Sequence, residues 1–275
     1  MSANVTLETT ALGIAQFYQT NQSAMNSTIE SIASGHRING PNDNAADYAQ
    51  INCMQSEVNC LTQIQSDLVD GSSLLQVAQA AGTTVSEDLN SMQNLLTSYY
   101  AAGTTAAQKS ADADQFQSLQ NQVESVINTT DYNGQQVITA NGGAALWGAM
   151  VDPNDPSQQF EISYDSTDIA DVSGLTLGVS DQATETAALN GQIQSATSYL
   201  AKTSNFIAIL NDQSSLVSEN LSTYDQAISN VQDVNQGTAL TTLSAQSICQ
   251  QSALSLLAQA NTSRLSLTST LLQNI

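Results

Sequence analysis

The sequence predicts a mainly α-helical fold: a long antiparallel, coiled-coil-like helical bundle built from both chain ends, with a small β-hairpin insertion. Three observations lead to this prediction. The 275 residues contain only three prolines, so helix-breaking residues are confined to two places. Two long stretches carry apolar residues at alternating spacings of three and four, the heptad pattern of helices that bury one stripe. Residues 131–184, between them, change to the period of two that is typical of half-buried strands.

The first seam runs from Asn44 to Tyr99 and predicts one continuous helix. One row recurs every seven residues: Met54, Leu61, Leu68, Leu75, Gly82, Leu89 and Leu96. A companion row holds Ile64, Gly71, Ala78, Val85, Met92 and Tyr99. At 1.5 Å per residue this helix is about 80 Å long. A shorter helix follows, with Phe116, Leu119, Val123 and Val126 again spaced three and four.

The second seam, over residues 189–231, is the most regular pattern in the chain, and Thr203 and Ser214 are its only polar members. Before it, Asp131–Gly134 has the composition of a turn, and Gln135–Thr139 is predicted as a short strand. A second strand is predicted around Phe160, Ile162 and Tyr164, which alternate with polar residues. The stretch 141–158 is rich in Gly, Ala and Pro and is predicted as a loop.

Both chain ends are weakly amphipathic. Each end is predicted to bury one apolar stripe: Leu7, Ala11, Ile14, Tyr18, Met25, Ile29 and Ile32 at the start, and Leu240, Leu243, Ile248, Leu254, Leu257, Leu265, Leu271 and Leu272 at the end. Isolated helices of this quality are marginal in water. We therefore expect the ends to order on meeting each other or a neighbouring molecule; ordinary helices docked on the bundle are the alternative.

The charge balance excludes several classes of protein. Four basic residues face 25 carboxylates, for a formal net charge of -21. Nucleic acid and anionic membranes are excluded as partners, because both bind through clustered Lys and Arg. The only histidine, His36, would need Asp43 or Asp47 to form an acid–base pair, so we expect no enzyme. The three cysteines have no metal-ligand spacing and are predicted as buried thiols. We expect no cofactor and no metal.

Several short motifs resemble one known family. Residues 34–46 read S-G-H-R-I-N-G-P-N-D-N-A-A and resemble the S-G-x-R-I-N-x-x-x-D-D-A-A stretch of bacterial flagellins. Residues 248–261 read I-C-Q-Q-S-A-L-S-L-L-A-Q-A-N and are similar to the flagellin I-L-Q-Q-A-x-x-x-x-L-A-Q-A-N. Asp70-Gly71, Ala81-Gly82 and Tyr132-Asn133-Gly134 fall where flagellins have D-G, E-G and F-N-G steps. The resemblance extends over essentially the whole chain, in the right order.

The resemblance implies a secreted subunit that polymerises into the extracellular bacterial flagellar filament for swimming motility. It also implies a minimal flagellin that has the D0 and D1 domains and lacks the outer D2 and D3 domains. The implied parts are the N-terminal D0 helix and spoke (1–43), the N-terminal D1 helices (44–130), the D1 β-hairpin region (131–184), the C-terminal D1 helix (185–235) and the C-terminal D0 helix (236–275).

Subunit-interface positions follow from the terminal stripes and from the motif at 34–46. They are Leu7, Ile14, Tyr18, Arg37, Asn39, Asp43, Leu254, Leu257, Leu265 and Leu271. Arg37 is predicted to pair with a carboxylate of the same or an adjacent subunit, because an unpaired guanidinium at a packed interface is costly. The implied partners are further copies of the chain, other flagellins, an export chaperone on 240–275, and hook-associated and cap proteins.

Three positions depart from the flagellin pattern. The second acid of D-D-A-A is Asn44, and the arginine of the S-R-I-x-D-x-D stretch is replaced by Asn230. The Arg and Leu recognised by Toll-like receptor 5 correspond to Ser91 and Leu95, so a charge-assisted contact with that receptor is lost.

Two other functions remain as alternatives. A hook–filament junction protein shares the D0–D1 plan, although the A-Q-A-N match at 258–261 favours flagellin. A secreted coiled-coil signalling or translocation protein is the alternative from a different class. A signalling coiled coil of the chemoreceptor kind would require membrane spans and paired modification sites, which the sequence lacks.

Overall fold

The computed structural model describes residues 2–138, 146–153, 155, 157–165, 168 and 170–273, with the side chains in these ranges except at 2–7, 267 and 270–273. Within them the chain is mainly helical, which confirms the predicted fold class. The elements are α1 (Ser2–Ser34), α2 (Ala45–Tyr99), α3 (Ala106–Thr129), β1 (Asp131–Tyr132), β2 (Gln135–Gln136), β3 (Trp147–Met150), β4 (Gln159–Ile162), α4 (Gln182–Gln232) and α5 (Gln236–Gln273).

The chain forms two compact units. Residues 1–56 and 223–275 make up the first, here called the terminal unit, and residues 57–222 make up the second, the central unit. The helices α2 and α4 contribute residues to both. The predicted division into D0 and D1 at residues 43/44 and 235/236 stays a prediction.

In the central unit, α2 and α4 pack antiparallel along their predicted seams. The Gln65 side chain donates to Ser214 Oγ at 2.7 Å, and further along α2 the Gln93 side chain donates to Asn190 Oδ1 at 2.9 Å. The heptad leucines of α2 are at most 2% exposed: Leu61, Leu68, Leu75, Leu89 and Leu96. The helix α3 adds Phe116 and Val123 to the same core. The predicted seams therefore form the interior of this unit.

Two glycines stand in the heptad rows of α2 because bulky side chains occupy the space beside them. A Cβ on Gly71 would lie 2.6 Å from the indole ring of Trp147. A Cβ on Gly82 would lie 3.0 Å from the side chains of both Tyr199 and Leu200. The first glycine lets β3 approach α2, and the second lets α4 approach it.

The first hairpin joins β1 and β2 through the predicted turn. Asn133 and Gly134 have φ values of 52° and 78°, the two left-handed residues of a type I′ turn. The pairing ends at Gln136, so the predicted strand 135–139 is too long. Val137 and Ile138 are buried all the same, while Thr139 lies outside the described residues.

The second hairpin corrects the predicted loop at 141–158. Within that range β3 pairs antiparallel with β4, from Trp147 opposite Ile162 to Met150 opposite Gln159. The flanking Gly and Ala residues hide this strand in the sequence. Hydrogen bonding to β4 and packing of the Trp147 indole against Gly71 offset the weak intrinsic strand preference of β3. Residues 141–145, 154 and 156 lie outside the described part of the chain.

In the terminal unit, α1 packs antiparallel against α5. Asn21 Nδ2 donates to the carbonyl of Gln246 at 2.7 Å, and the side chains of Gln22 and Gln250 also form a hydrogen bond. The contacting residues of α5 recur at spacings of three and four and are mostly small or polar: Ala239, Leu243, Gln246, Gln250, Ala253, Leu257 and Ala260. In the described part of the chain, none of the helices is both long and apolar enough to cross a membrane.

The prediction of three buried thiols is wrong. Cys53 and Cys249 are exposed, and Cys60 is partly exposed. Cys53 and Cys249 are exposed because they lie on helix faces that no other described segment covers. The three thiols therefore do not act as core residues.

Candidate assembly interface

The terminal unit turns large apolar side chains toward solvent. We call this set the outer apolar residues: Leu12, Phe17, Ile29, Leu240, Ile248, Leu254, Leu256 and Leu265, each between 45% and 65% exposed. Apolar patches that a folded chain leaves uncovered mark sites of association. The outer apolar residues are therefore the candidate site.

The predicted single stripe on α5 is wrong, because its apolar residues divide between two faces. Leu243 and Leu257 are half-buried at the α1 seam, whereas Leu240, Ile248 and Leu254 point away from it. Ile29 of α1 is likewise exposed rather than in the seam. The less exposed positions of α5 also include Ala239, Ala253 and Ala260, while its larger exposed side chains stay available outside.

The predicted interface residues on the helices follow the same division. Ile14 and Tyr18 are half-buried, as is Leu257, while Leu254 and Leu265 are 57% and 65% exposed. The side chains of Leu7 and Leu271 lie outside the described residues. The structure therefore places two of these positions outward and three partly inside the chain's own helix pair. Their role between subunits stays a prediction.

The connector between α1 and α2 is fastened to the connector between α4 and α5. The Arg37 backbone N–H donates to the carbonyl of Gln232 at 2.6 Å, and the Val234 N–H donates to the carbonyl of Gly35 at 2.9 Å. Gly35 has a φ of 78°, a left-handed conformation that favours glycine. Ile38, 1% exposed, anchors the connector.

The Arg37 guanidinium binds within its own chain. Its Nη2 donates to Asp47 Oδ2 at 3.2 Å and to the carbonyl of Val231 at 2.6 Å. The sequence predicted a carboxylate partner in the same or an adjacent subunit, and the structure shows one in the same chain. Arg37 thus joins the start of α2 to the end of α4.

Asn39 and Asp43 hold the shape of the connector. The Asp43 carboxylate accepts from the backbone N–H groups of Asn39 at 2.9 Å and Gly40 at 3.2 Å. Asn39 Nδ2 donates to the carbonyl of His36 at 3.2 Å. Both side chains therefore make local contacts here, and their predicted role between subunits stays untested.

Asn44 caps α2 in place of the acid found in flagellins. Its Oδ1 accepts from the backbone N–H groups of Ala46 at 3.0 Å and Asp47 at 3.3 Å. Asn and Asp are about equally good at a helix N-cap. This departure from the family pattern therefore leaves the cap in place.

His36 pairs with a residue that sequence reasoning missed. Its Nδ1 lies 3.0 Å from Asp233 Oδ1, and the two residues also form an isolated β-bridge. Asp43 and Asp47, the partners considered from the sequence, are not the ones it meets. The sequence gives no signal for the pair, because 197 residues separate the two side chains.

The positions equivalent to the receptor site lie on α2. Ser91 is exposed, and its hydroxyl donates to the carbonyl of Glu87 at 3.0 Å. Leu95 is half-buried and packs against the core of the central unit. Ser91 thus presents no charge at this surface.

Three of the four basic side chains interact within the chain. Besides Arg37, Lys202 Nζ binds Asp168 at 2.5 Å, and this hydrogen bond raises the pKa of Lys202. Lys109 Nζ lies 4.8 Å from the ring centroid of Tyr99. Arg264, on α5, is exposed. Within the described residues, no group of three His, Cys, Asp or Glu side chains could hold a metal ion.

A chain that pairs its two ends and leaves apolar side chains outside has the organisation of a self-associating helical protein. Residues 7–142 match the model of the bacterial flagellin N-terminal helical region. The flagellin of Escherichia coli K12 is 30% identical over 159 residues, which cover 58% of this chain and 30% of that protein. The Bacillus subtilis flagellin is 26% identical over 66% of this chain and 60% of its own length. The chain belongs to the bacterial flagellin family.

A solved structure supports the fold independently. A protein of Vibrio parahaemolyticus assigned as flagellar hook-associated matches with a TM-score of 0.58 at 14% identity. The match covers 70% of this chain and all of that one. The chain spans only about a third of the E. coli relative's length, since 30% of that protein is matched. The helical architecture is therefore shared with that protein.

Proposed function

We propose that the chain is a structural subunit of the bacterial flagellar filament, secreted and assembled outside the cell for swimming, with no enzymatic role. The outer apolar residues on the paired terminal helices carry this proposal. Burying them would stabilise contacts between copies by about 25 cal/mol per Å² of apolar surface removed from water. The flagellins among its relatives support the same function.

Assembly would proceed through unlike surfaces. The outer apolar residues of one copy would meet a different surface on the next, and such heterologous contacts produce an open helical polymer when the rotation does not close. The net charge of -21 favours dispersed subunits before assembly. In this proposal residues 1–43 and 236–275 form D0 and its connecting spoke, and the regions 44–130, 131–184 and 185–235 form D1.

The remaining partners follow from family membership. We expect an export chaperone to cover residues 240–275, where Leu240, Ile248, Leu254 and Leu265 are exposed. Hook-associated and cap proteins would adjoin the ends of the filament, and other flagellins could share it. The uncharged Ser91 leaves the innate immune receptor without the arginine it recognises in other flagellins.

A hook–filament junction protein is the second candidate. The fold shared with the Vibrio parahaemolyticus structure supports it, since the match covers that whole chain. A junction protein forms a limited layer rather than a long polymer, so polymer length distinguishes the two functions. A secreted coiled-coil signalling or translocation protein has no comparable support.

Seeded polymerisation tests the proposal. Purified full-length protein is mixed with sheared filament seeds at neutral pH, and growth is scored by negative-stain microscopy. We expect filaments many times longer than the seeds. Short capped assemblies would favour the junction protein, and particles that never associate would overturn both functions.

A matched pair of exposed leucines tests the surface itself. Leu254 of α5 and Leu216 of α4 are 57% and 51% exposed. Leu254→Asn should slow filament growth at a given protein concentration, whereas Leu216→Asn should leave growth near the wild-type rate. Equal growth of the two variants would remove the outer apolar residues as the basis of assembly.

A further inference from the structure

Arg264 differs from the other basic residues in its contacts with the described part of the chain. Arg37 binds Asp47, Lys202 binds Asp168, and Lys109 lies over Tyr99. Among the described residues, the Arg264 guanidinium has no hydrogen-bond or ion-pair partner. It is also the only charged residue in the sequence of α5.

The guanidinium borders an open groove in the terminal unit. The groove holds about 410 Å³ and is lined by Ala11 of α1 and by Leu254, Leu257, Ala258, Ala260, Asn261 and Arg264 of α5. Apart from Arg264 and Asn261, these are apolar side chains. The groove therefore suits an apolar side chain that has a carboxylate beside it.

The exposed side of α1 carries that combination. Its sequence has two charged residues, Glu8 and Glu30, and both are exposed. Glu8 stands four residues before Leu12, so the two side chains share one face of the helix. Leu12 is 61% exposed. No ion pair joins Glu8 to Arg264 within the chain.

We propose that the groove receives Leu12 of a second copy of this chain, while Glu8 of that copy pairs with Arg264. This inference rests on the proposed function and assigns the polarity of the terminal-helix contact. A guanidinium that is covered by an apolar surface needs a charged partner, because an uncompensated charge is strongly destabilising there. Arg is suited to the task, since its planar fork binds a carboxylate through two hydrogen bonds.

The pair extends the contact from one copy to the next. Each chain offers one groove with Arg264 and one Leu12–Glu8 face, so every copy both accepts and inserts. Where one copy inserts into its neighbour and accepts from a third copy, the contact is heterologous and continues along a polymer. The charges also determine which helices can pair. Because α1 carries no cation and α5 carries no carboxylate, an ion pair between these helices must join α1 of one copy to α5 of another.

Charge exchange tests the pair in the full-length protein. Four proteins are compared with wild type: Arg264→Glu, Glu8→Arg, the double exchange of both, and Arg264→Glu combined with Glu30→Arg as the matched control. The critical concentration for polymerisation is measured by sedimentation, and circular dichroism checks that each monomer stays helical. We expect each single variant to raise the critical concentration about tenfold or more. The double exchange at residues 8 and 264 should return it to near the wild-type value, and the Glu30 control should not.

Other outcomes overturn the inference without touching the proposed function. If Arg264→Glu polymerises at the wild-type critical concentration, Arg264 makes no ion pair between copies. If the Glu30 control restores polymerisation and the Glu8 exchange does not, the assignment to the Leu12–Glu8 face is wrong. A single variant that loses helical content is judged by the double exchange, which must still recover polymerisation. Failure of the wild type to polymerise would instead contradict the proposed function.

Discussion

The two units of the chain use apolar side chains in opposite ways. In the central unit the leucines of α2 point inward, and Leu75 and Leu89 are completely buried. In the terminal unit the half-buried positions of α1 and α5 combine Ile14, Tyr18 and Leu257 with alanines and glutamines, and leucines such as Leu254 and Leu265 face solvent. The central unit is thus stabilised by its own core, whereas the terminal unit leaves much of its apolar surface exposed. In the proposed filament, contacts with other copies would cover that surface.

Removing either terminal helix should have the largest effect. Deletion of residues 1–32 or 240–275 takes away one partner of the α1–α5 pair, together with three or five, respectively, of the eight outer apolar residues. We expect a soluble monomer that sediments without polymer, while circular dichroism retains the signal of the central helices.

The full-length protein, treated in parallel, is the control. Polymer from either truncated protein would show that the terminal unit is dispensable for assembly. Loss of nearly all helical signal would show instead that the central unit depends on it.

A substitution at Gly71 should disturb the central unit alone. Gly71→Ala places a methyl group where the indole of Trp147 now packs, so the ring must move. We expect the free energy of unfolding to fall by about 1–3 kcal/mol. Because Trp147 is the only tryptophan, its fluorescence emission should shift to the red.

Gly191→Ala is the matched control for this substitution. Gly191 lies in α4 with nothing within 4 Å of an added Cβ, so alanine should stabilise the helix by up to about 1 kcal/mol and leave the emission unchanged. An unshifted spectrum in Gly71→Ala would contradict the packing described for the indole. We expect both variants to polymerise normally below their melting temperatures, because the substitutions lie in the central unit and the proposed assembly contacts lie in the terminal unit.

Loss of the Arg37 side chain should weaken filaments less than deletion of a terminal helix does. Arg37→Ala removes the hydrogen bonds to Asp47 and to the carbonyl of Val231, which join the ends of α2 and α4 in the terminal unit. We expect filaments with a lower melting temperature and reduced swimming, with secretion unchanged.

Arg37→Lys serves as the control, because lysine keeps the charge but not the planar fork. It should fall between wild type and Arg37→Ala. Normal swimming together with wild-type heat resistance in Arg37→Ala would refute a role for this contact.

Acid should leave copies of this chain with little positive charge, because the whole chain has four Lys and Arg residues. The helices α1 and α5 carry two carboxylates, Glu8 and Glu30. Ordinary carboxylates protonate below pH 4, and a chain with many Lys and Arg then becomes strongly cationic, so its subunits repel each other. We expect filaments of this chain to disassemble at a lower pH than filaments of a flagellin rich in Lys and Arg.

The central unit contains opposing pKa shifts. Burial raises the pKa of Asp88, so its protonation stabilises the folded chain as the pH falls through that raised value. Hydrogen bonds from Ser173 and Thr184 lower the pKa values of Asp171 and Asp181, so their stabilisation is lost only when the pH falls through those lowered values. Filament length is scored by microscopy from pH 7 downward beside a flagellin of ordinary composition. Disassembly of both at the same pH would argue against acid tolerance, and resistance to trypsin-like proteases would then be the better explanation of the missing Lys and Arg.

The sequence predicts the central unit better than the terminal one, for a physical reason. A buried heptad row is apolar at nearly every turn, so the spacing alone predicts that the leucines from Leu61 to Leu96 are buried. In α5 the spacing misleads, because apolar residues serve both the α1 seam and the outer face. A single stripe drawn through Leu243 and Leu254 therefore merges two surfaces.

Contacts between distant segments leave weaker traces in the sequence. The His36–Asp233 pair and the seat of Trp147 on Gly71 each join residues that no local pattern connects. The strand β3 was missed because its partner β4, rather than its own composition, stabilises it. Arg37 was predicted to need a carboxylate, which elementary electrostatics requires, but only the structure identifies Asp47.

Hydrogen exchange of the monomer and the filament tests the contrast between the two units most directly. Mass spectrometry would follow amide protection in α1 and α5 and, in the same samples, in the parts of α2 and α4 that belong to the central unit. We predict that the terminal helices exchange rapidly in the monomer and become protected in the filament, while the central helices are protected in both. Equal protection of α1 and α5 in the two states would contradict the account, because it would mean that the terminal helices are fully stable before any second copy binds.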